Sequence, residues 1–357
     1  MNSIKFLQNF KNLKILVTGS TGFKGAWLCF WLHQIGAKVI GIGLKPEKGA
    51  KVLNKLLLDK KIKQYILDIR RIDYLDRVIK KEKPDAIIHL AAQSIVSHSF
   101  YKPLETFTTN IIGSANILQL TKKYKIKSLV YITSDKCYLN LNKGKPFRES
   151  DVLGGQDNYS ASKASAEILF NSFHNSYFLH ENQHLTAVTA RAGNVIGGGD
   201  FKENRIVPDI IRALEKKRSL IIRNPKATRP WQHVLEPLKG YLILTEKILN
   251  KKLKKDIVPT WNFGPQPANA KRVIEVVKSI LSYFNQAKKI IIKKNFIYES
   301  QLLSLNIKKA KKELNWKPSL NFSDTMFLTA NWYKNYIEDK NLAKITQEQI
   351  ELYSSIK

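Results

Sequence analysis

Residues 14–18 (Lys-Ile-Leu-Val-Thr) form a short β-branched run that leads straight into glycines. An apolar, helix-compatible stretch over 26–34 follows, and then a second strand-like run over 38–42. Strand, Gly-rich turn, helix and strand in that order open a βαβ unit. The rhythm recurs, with strands expected over 86–90, 128–133 and 185–191 and helices over 110–122 and 159–173. Continuous apolar strands alternating with helices predict an α/β fold around a doubly wound parallel sheet. After about Ala192 the rhythm breaks at Gly197–Gly199, Pro208, Pro225, Pro230, Pro237 and Pro265. The expected organisation is a dinucleotide-binding domain over 1–191, with a segment returning to it at about 234–264. A smaller, mixed substrate-binding region would take 192–233 and 265–357.

With 357 residues and 43% apolar content the chain can build a substantial core. Its 60 Lys and Arg against 29 Asp and Glu give a net charge of +31, which raises the question of a polyanionic partner. The lysines are spread along the chain rather than massed in a tail, so solvated faces are the simpler expectation, with no nucleic acid and no membrane as partner. The positive field would still attract a substrate carrying a diphosphate. The two cysteines, Cys29 and Cys137, make neither a disulfide framework nor a zinc quartet, and they suit a reducing cytoplasm. The first residues lack the apolar core and cleavage site of a secretion signal. No run of about 18 uncharged apolar residues occurs.

Thr18-Gly19-Ser20-Thr21-Gly22-Phe23-Lys24-Gly25 spells T-G-x-x-G-x-x-G between the first strand and helix. Gly19 would permit the tight turn, Gly22 the approach of a pyrophosphate, and Gly25 close packing of helix on sheet, with helix amides facing the anion. This is the Rossmann-like signature of a dinucleotide site. The second strand, K-V-I-G-I-G-L-K-P, lacks the acidic residue that usually binds a ribose 2′-hydroxyl, and Lys45 lies close by, so these residues alone leave NAD and NADP open. Asp68-Ile69, after the third strand-like run, would be placed to meet adenine.

The strand over 128–133 runs into Ser134-Asp135-Lys136, and Tyr159 and Lys163 follow in a Y-x-x-x-K spacing. On a helix, i and i+4 share a face, so the Lys163 ammonium and the Tyr159 phenol can converge. A phenol with a pKa near ~10 is a poor base at neutral pH unless nearby positive charge stabilises the phenolate. Ser134 would bond the same substrate oxygen. His180-Glu181-Asn182-Gln183-His184 matches H-E-x-x-H but falls where a helix gives way to a strand, so no metal site is expected.

These motifs, with H-L-A-A-Q (89–93), T-N-I-I-G (109–113), R-A-G-N-V-I-G-G-G-D (191–200), I-I-R-N-P (221–225) and R-P-W-Q-H-V-L-E-P (229–237), resemble the extended short-chain dehydrogenase/reductase family, nucleotide-sugar epimerase/dehydratase group. The resemblance is sharpest to members acting on CDP-glucose. It implies NAD as cofactor and a three-step 4,6-dehydration: Tyr159 deprotonates the sugar 4-hydroxyl as the C4 hydride passes to NAD, water leaves across C5–C6, and the hydride returns to C6. Asp135 would be the acid of the elimination, and Lys136 would be its base or would stabilise the enolate. It also implies cofactor contacts at Gly19, Thr21, Gly22, Phe23, Lys24, Gly25, Ala91, Ala92, Tyr159 and Lys163, and substrate contacts at Gln93, Asn194, Arg223, Asn224, Arg229 and His233. Asn110 and Trp231 are read as structural. The resemblance further implies a homo-oligomer and a place in deoxysugar and surface-polysaccharide synthesis. Another nucleotide-sugar dehydratase or a 4-epimerase on this scaffold remains an alternative, as does a basic, non-catalytic nucleic-acid-binding protein.

Overall fold

The structure, a computed structural model, describes residues 5–46, 61–141, 144–181, 184–255, 258–284, 289–292 and 303–356. Seven strands make the central sheet: β1 Lys14–Thr18, β2 Lys38–Gly43, β3 Lys63–Ile66, β4 Ala86–His89, β5 Ser128–Ile132, β6 Ala187–Ala192 and β7 Thr260–Phe263. They pair in the order β7-β6-β5-β4-β1-β2-β3, all parallel. Sequence direction reverses between β1 and β4, and a crevice opens beyond the carboxyl ends at such a switch point. Residues of β4, β5, β6 and β7 are buried throughout, as continuous apolar runs in a sheet covered on both faces must be. The edge strand β3 (Lys-Gln-Tyr-Ile) is polar and partly exposed, which blunts an open edge.

Five helices matter for the site: α1 Phe23–Gln34, α2 Ile72–Glu82, α3 Ser114–Lys123, α4 Asn158–Phe173 and α5 Leu235–Leu249. The helix expected over 110–122 is split. A wider π-type turn, Thr108–Gly113, precedes α3. Such turns concentrate at functional sites; here the turn carries the buried Asn110, and the missing side chain at Gly113 makes room for Ile69. Helix α4 starts where Asp157 accepts from the Ser160 amide at 2.9 Å, an N-cap that fixes Tyr159 in the first turn. Beyond β6 the chain forms two- and three-residue strand pairs, Val195–Ile196 with Gln232–His233 and Thr228–Pro230 with Ala270–Arg272. One apolar cluster runs from Val17 and Trp27 through α5 to Trp332 and Tyr353. No helix among the described residues is long and apolar enough to cross a membrane.

The last helix, Leu342–Ser355, is tied to the start of α5 by a buried carboxylate. Glu236 accepts from the amides of Ser319 and Leu320 at 2.8 and 2.7 Å and from the Tyr353 hydroxyl at 2.7 Å. Tyr353→Phe removes one of these donors and is expected to destabilise the fold by about 1–3 kcal/mol. The check is the urea midpoint, which should fall with an unchanged slope; an unmoved midpoint contradicts the assignment.

Candidate active site

The turn after β1 is built on contacts that leave no room for side chains. Gly19 has φ +73°, and a Cβ there would lie 2.8 Å from the Ala91 amide nitrogen; at Gly25 it would lie 2.0 Å from the Gly19 carbonyl oxygen. At Gly22, the N-cap of α1, a Cβ would meet only that same oxygen, at 3.3 Å, and no side chain caps the helix. The first amides of α1 therefore face an open cradle, which suits a pyrophosphate. Phe23 is half-buried at the mouth of the turn. The missing acidic residue has a physical cause: β2 ends on Gly43, where a Cβ would fall 2.4 Å from Thr21 Oγ1. The turn's own threonine fills the place of a side chain.

Four of the five expected catalytic side chains are buried together beyond β5. Ser134 caps a short 3-10 turn, Asp135–Cys137, and donates to Asp135 Oδ1 at 3.0 Å. Its hydroxyl lies close enough to the Tyr159 phenol to favour the phenolate. Burial lifts Tyr159 to about 12, against the opposing pull of Ser134 and the Arg205 charge. Burial lowers Lys163 to about 8, with the Glu167 charge pulling the other way. In the protein alone, desolvation of the phenolate outweighs the Arg205 charge. Burial also raises the Asp135 carboxyl, despite Lys136, Ser134 and Arg229. Its Oδ2 is buried without a hydrogen-bond partner. An uncommitted carboxyl oxygen with a raised pKa is equipped to donate a proton. Lys136 is half-buried on the same turn.

Lys24 stands closer to this chemistry than the turn motif suggested. It is half-buried by accessible surface but enclosed by charge: desolvation, Lys163 and Arg205 lower its pKa to about 7, against the opposing effect of Asp135. Its ammonium also lies 5.8 Å from the Tyr241 ring centre.

Other expected residues fall in different places. Gln93 spends its side chain inside its own loop, donating to Ile95 O and Thr106 Oγ1 at 3.1 and 2.8 Å and accepting from the Ile95 amide. Its side-chain amide donors are both engaged there, and its oxygen keeps one lone pair for a substrate hydroxyl. His233 is fully buried, edge-on to Trp27 at 5.9 Å, and desolvation lowers its pKa to about 3, which puts it in the packing rather than on a surface a substrate could meet. The Ile69 side chain sits in the core against Gly113, leaving only its backbone for adenine, while Asp68 is partly exposed and paired with Arg70. Ala91 and Ala92 are half-buried after β4, and Ala91 donates to Thr18 Oγ1 at 3.2 Å.

Asn110 is structural as expected, bridging Gln93 and Ser162. Trp231 is buried and donates to the Lys271 carbonyl. Asn194 lies beside Gly193, whose missing Cβ would sit 3.3 Å from Asp135 Oδ2. Arg229 is buried within electrostatic reach of Asp135. Arg223 donates to Asn204 at 2.9 Å, and Asn224 forms the next turn. His180 lies in the middle of the short helical turn Leu179–Glu181, and His184 forms an isolated bridge with Lys254. Asn182 and Gln183, like residues 1–4 of the amino terminus, lie outside the described residues.

Sequence reasoning missed Arg205. It precedes the helix Ile206–Glu215, pairs with Asp200 at 2.9 Å, donates to Ser94 at 2.9 Å, and lies within electrostatic reach of Tyr159 and Lys24. Its only sequence signal was the aspartate that closes G-G-G-D.

This crevice, with a dinucleotide turn on one side and a Ser-Asp…Tyr…Lys cluster on the other, is that of a nucleotide-dependent oxidoreductase scaffold carrying an extra acid. The chain belongs to the GDP-mannose 4,6 dehydratase family, whose model matches residues 16–328. It is 38% identical to a CDP-glucose 4,6-dehydratase from Salmonella typhimurium over 96% of each chain. It is 27% identical to a dTDP-glucose 4,6-dehydratase from Shigella flexneri, over 92% of this chain and 95% of that one. The crystal structure of dTDP-glucose 4,6-dehydratase from Bacillus anthracis in complex with NAD superposes with a TM-score of 0.76 at 25% identity, covering 93% of this chain and 99% of that one.

Lys24 yields a test. Its folded pKa of about 7 lies below the ordinary 10.5, so the cost of burying its ammonium is complete below pH 7. Between 7 and 10.5 the folded protein holds fewer protons than the unfolded chain, and stability rises with pH. Lys24→Met should therefore raise the melting temperature more below pH 7 than near pH 10.5; a gain independent of pH contradicts the environment described.

Proposed function

We propose that this protein is a CDP-glucose 4,6-dehydratase that carries NAD through each turnover. The observation that bears most weight is Asp135, buried beside Tyr159 with a raised pKa and a free oxygen. Dehydration needs an acid to release the C6 hydroxyl, whereas a 4-epimerase has no use for one. The choice of CDP-glucose rests on the 38% identity to the Salmonella enzyme of that name.

The open cradle at Gly22 fits a dinucleotide, which Gly19, Thr21, Gly22, Phe23, Lys24 and Gly25 would hold at the pyrophosphate, Asp68 and the Ile69 backbone at the adenine, and Ala91 and Ala92 further in. NAD, when bound, supplies the acceptor for the C4 hydrogen and gives it back at C6. Tyr159 takes the proton from the sugar 4-hydroxyl, with Ser134 holding that oxygen and Lys163 supplying positive charge. The resulting 4-ketone acidifies the C5 proton, for which Lys136 is our candidate acceptor. Asp135 protonates the departing C6 hydroxyl. Arg229 and Asn194 would hold the diphosphate or the sugar, and Arg223 and Asn224 the base or ribose.

We also propose that residues 192–233 and 265–357 form the substrate-binding part, that the enzyme works in the cytoplasm, and that it is a homo-oligomer. For the last, the support is a set of exposed apolar side chains on neighbouring helical segments: Tyr101, Leu104, Ile112 and Ile168. Its product suits deoxysugar synthesis.

The decisive assay incubates the protein and NAD with CDP-, dTDP-, UDP- and GDP-glucose and follows product mass. Loss of one water from CDP-glucose alone is expected; loss from none of them overturns the proposal. Asp135→Asn should slow water loss by about 100- to 10,000-fold, and an unchanged rate removes Asp135 from the acid role.

A further inference from the structure

Behind the catalytic cluster lies a buried guanidinium that bonds one residue on the helix carrying Tyr159 and Lys163 and another beside the turn carrying Asp135 and Lys136. Tyr159, Lys163 and Glu167 follow one another at four-residue intervals along one face of α4. Glu167 is wholly buried and is gripped by Arg191 through two parallel bonds, Nε to Oε1 and Nη2 to Oε2, each 2.9 Å. Thr133, at the end of β5, donates to the same carboxylate, as does Thr189 of β6 at 3.1 Å. The remaining nitrogen of the fork, Nη1, donates to the Tyr138 hydroxyl at 2.7 Å. The guanidinium carbon also lies 4.8 Å from the centre of the Tyr138 ring. Tyr138 directly follows the turn that holds Asp135 and Lys136, and its hydroxyl passes the chain on to Asn262 at 2.7 Å.

We infer that Arg191 is a positioning residue whose fork holds the helix of the oxidation groups and the turn of the elimination groups in fixed register, with Tyr138 as the strut to the elimination side. The inference rests on the dehydratase reading above, because only a reaction with both an oxidation and an elimination needs these two sets of groups held in register. The geometry is specific. A guanidinium offers donors in a rigid fork, so one side chain can grip a carboxylate with one edge and reach a phenol with another. A lysine in its place supplies a single point of charge and cannot do both. Errors of about 1 Å in such placement cost on the order of 100-fold in rate. Cutting the Tyr138 arm alone leaves Tyr159, Lys163 and Glu167 on their helix, so the oxidation half should keep its geometry while the elimination half loses its own.

The test is Tyr138→Phe in the full-length protein with NAD and CDP-glucose, with the parent protein run beside it. Two signals are followed: the absorbance of reduced cofactor during turnover and the release of water by product mass. We expect water loss to slow by about 10-fold or more while C4 oxidation persists, so that reduced cofactor accumulates in the variant and not in the parent. Arg191→Lys, whose single ammonium keeps the charge on Glu167 but no longer reaches Tyr138, should show the same accumulation, and it replaces Tyr138→Phe if that variant does not melt cooperatively. If both steps slow together without accumulation, or if neither changes, Arg191 is only a structural support and the inference fails. A parent protein that releases no water from CDP-glucose would instead remove the dehydratase reading itself, so the two failures are told apart.

Discussion

The crossing of Gly25 over Gly19, where even one methyl group would collide with a carbonyl oxygen 2.0 Å away, is the constraint on which the site depends. It presses the start of α1 against the turn after β1 and lays that turn over the ends of the neighbouring strands. Three consequences follow. Gly19 comes within contact of Ala91, which defines one wall of the crevice. Thr21 comes to rest on Gly43 and takes the room that an acidic side chain would need. Lys24, one residue before Gly25, is carried inward toward Lys163 and Asp135. A short glycine pattern thus sets the shape of the anion cradle and brings a cation to the reacting groups.

The second organising element is polar and buried. The Glu167–Arg191 pair is almost fully shielded from water, with side chains 0% and 2% exposed. Such a pair contributes little net stability once its desolvation is counted, yet removing one partner leaves a stranded charge at a cost of about 3–5 kcal/mol. Its value here is geometric. It joins α4 to β5 and β6 at the level where the catalytic side chains emerge, and Tyr138 and Asn262 extend the connection to β7. The apolar core around Trp27, Trp332 and Tyr353 holds the parts together, while the polar network fixes how they face one another.

Much of this was legible in the residue pattern. The β1–α1–β2 unit, the strand before Ser134 and the helix from Tyr159 to Phe173 show in short apolar runs, because strands buried on both faces carry little else. That Tyr159 and Lys163 lie together was legible because helical spacing puts them on one face. What escaped depended on contacts distant in sequence. Gln93 and His233 read as pocket residues, and nothing in the sequence shows that the first bonds Ile95 and Thr106 or that the second packs edge-on against Trp27. Arg205 carried no motif of its own, and its importance comes from Asp200 and Ser94, which only the fold brings to it. The pKa of Tyr159 could not be inferred from its spacing to Lys163, since burial of the phenol, invisible in the sequence, dominates it.

On the reading proposed above, one site both oxidises the sugar at C4 and reduces it at C6, with an elimination between. Turnover of CDP-glucose carrying deuterium at C4 tests this most directly, with the product examined by NMR. The deuterium is expected at C6 of a 4-keto-6-deoxy product. Deuterium that stays at C4, in recovered sugar or in its C4 epimer, would contradict it.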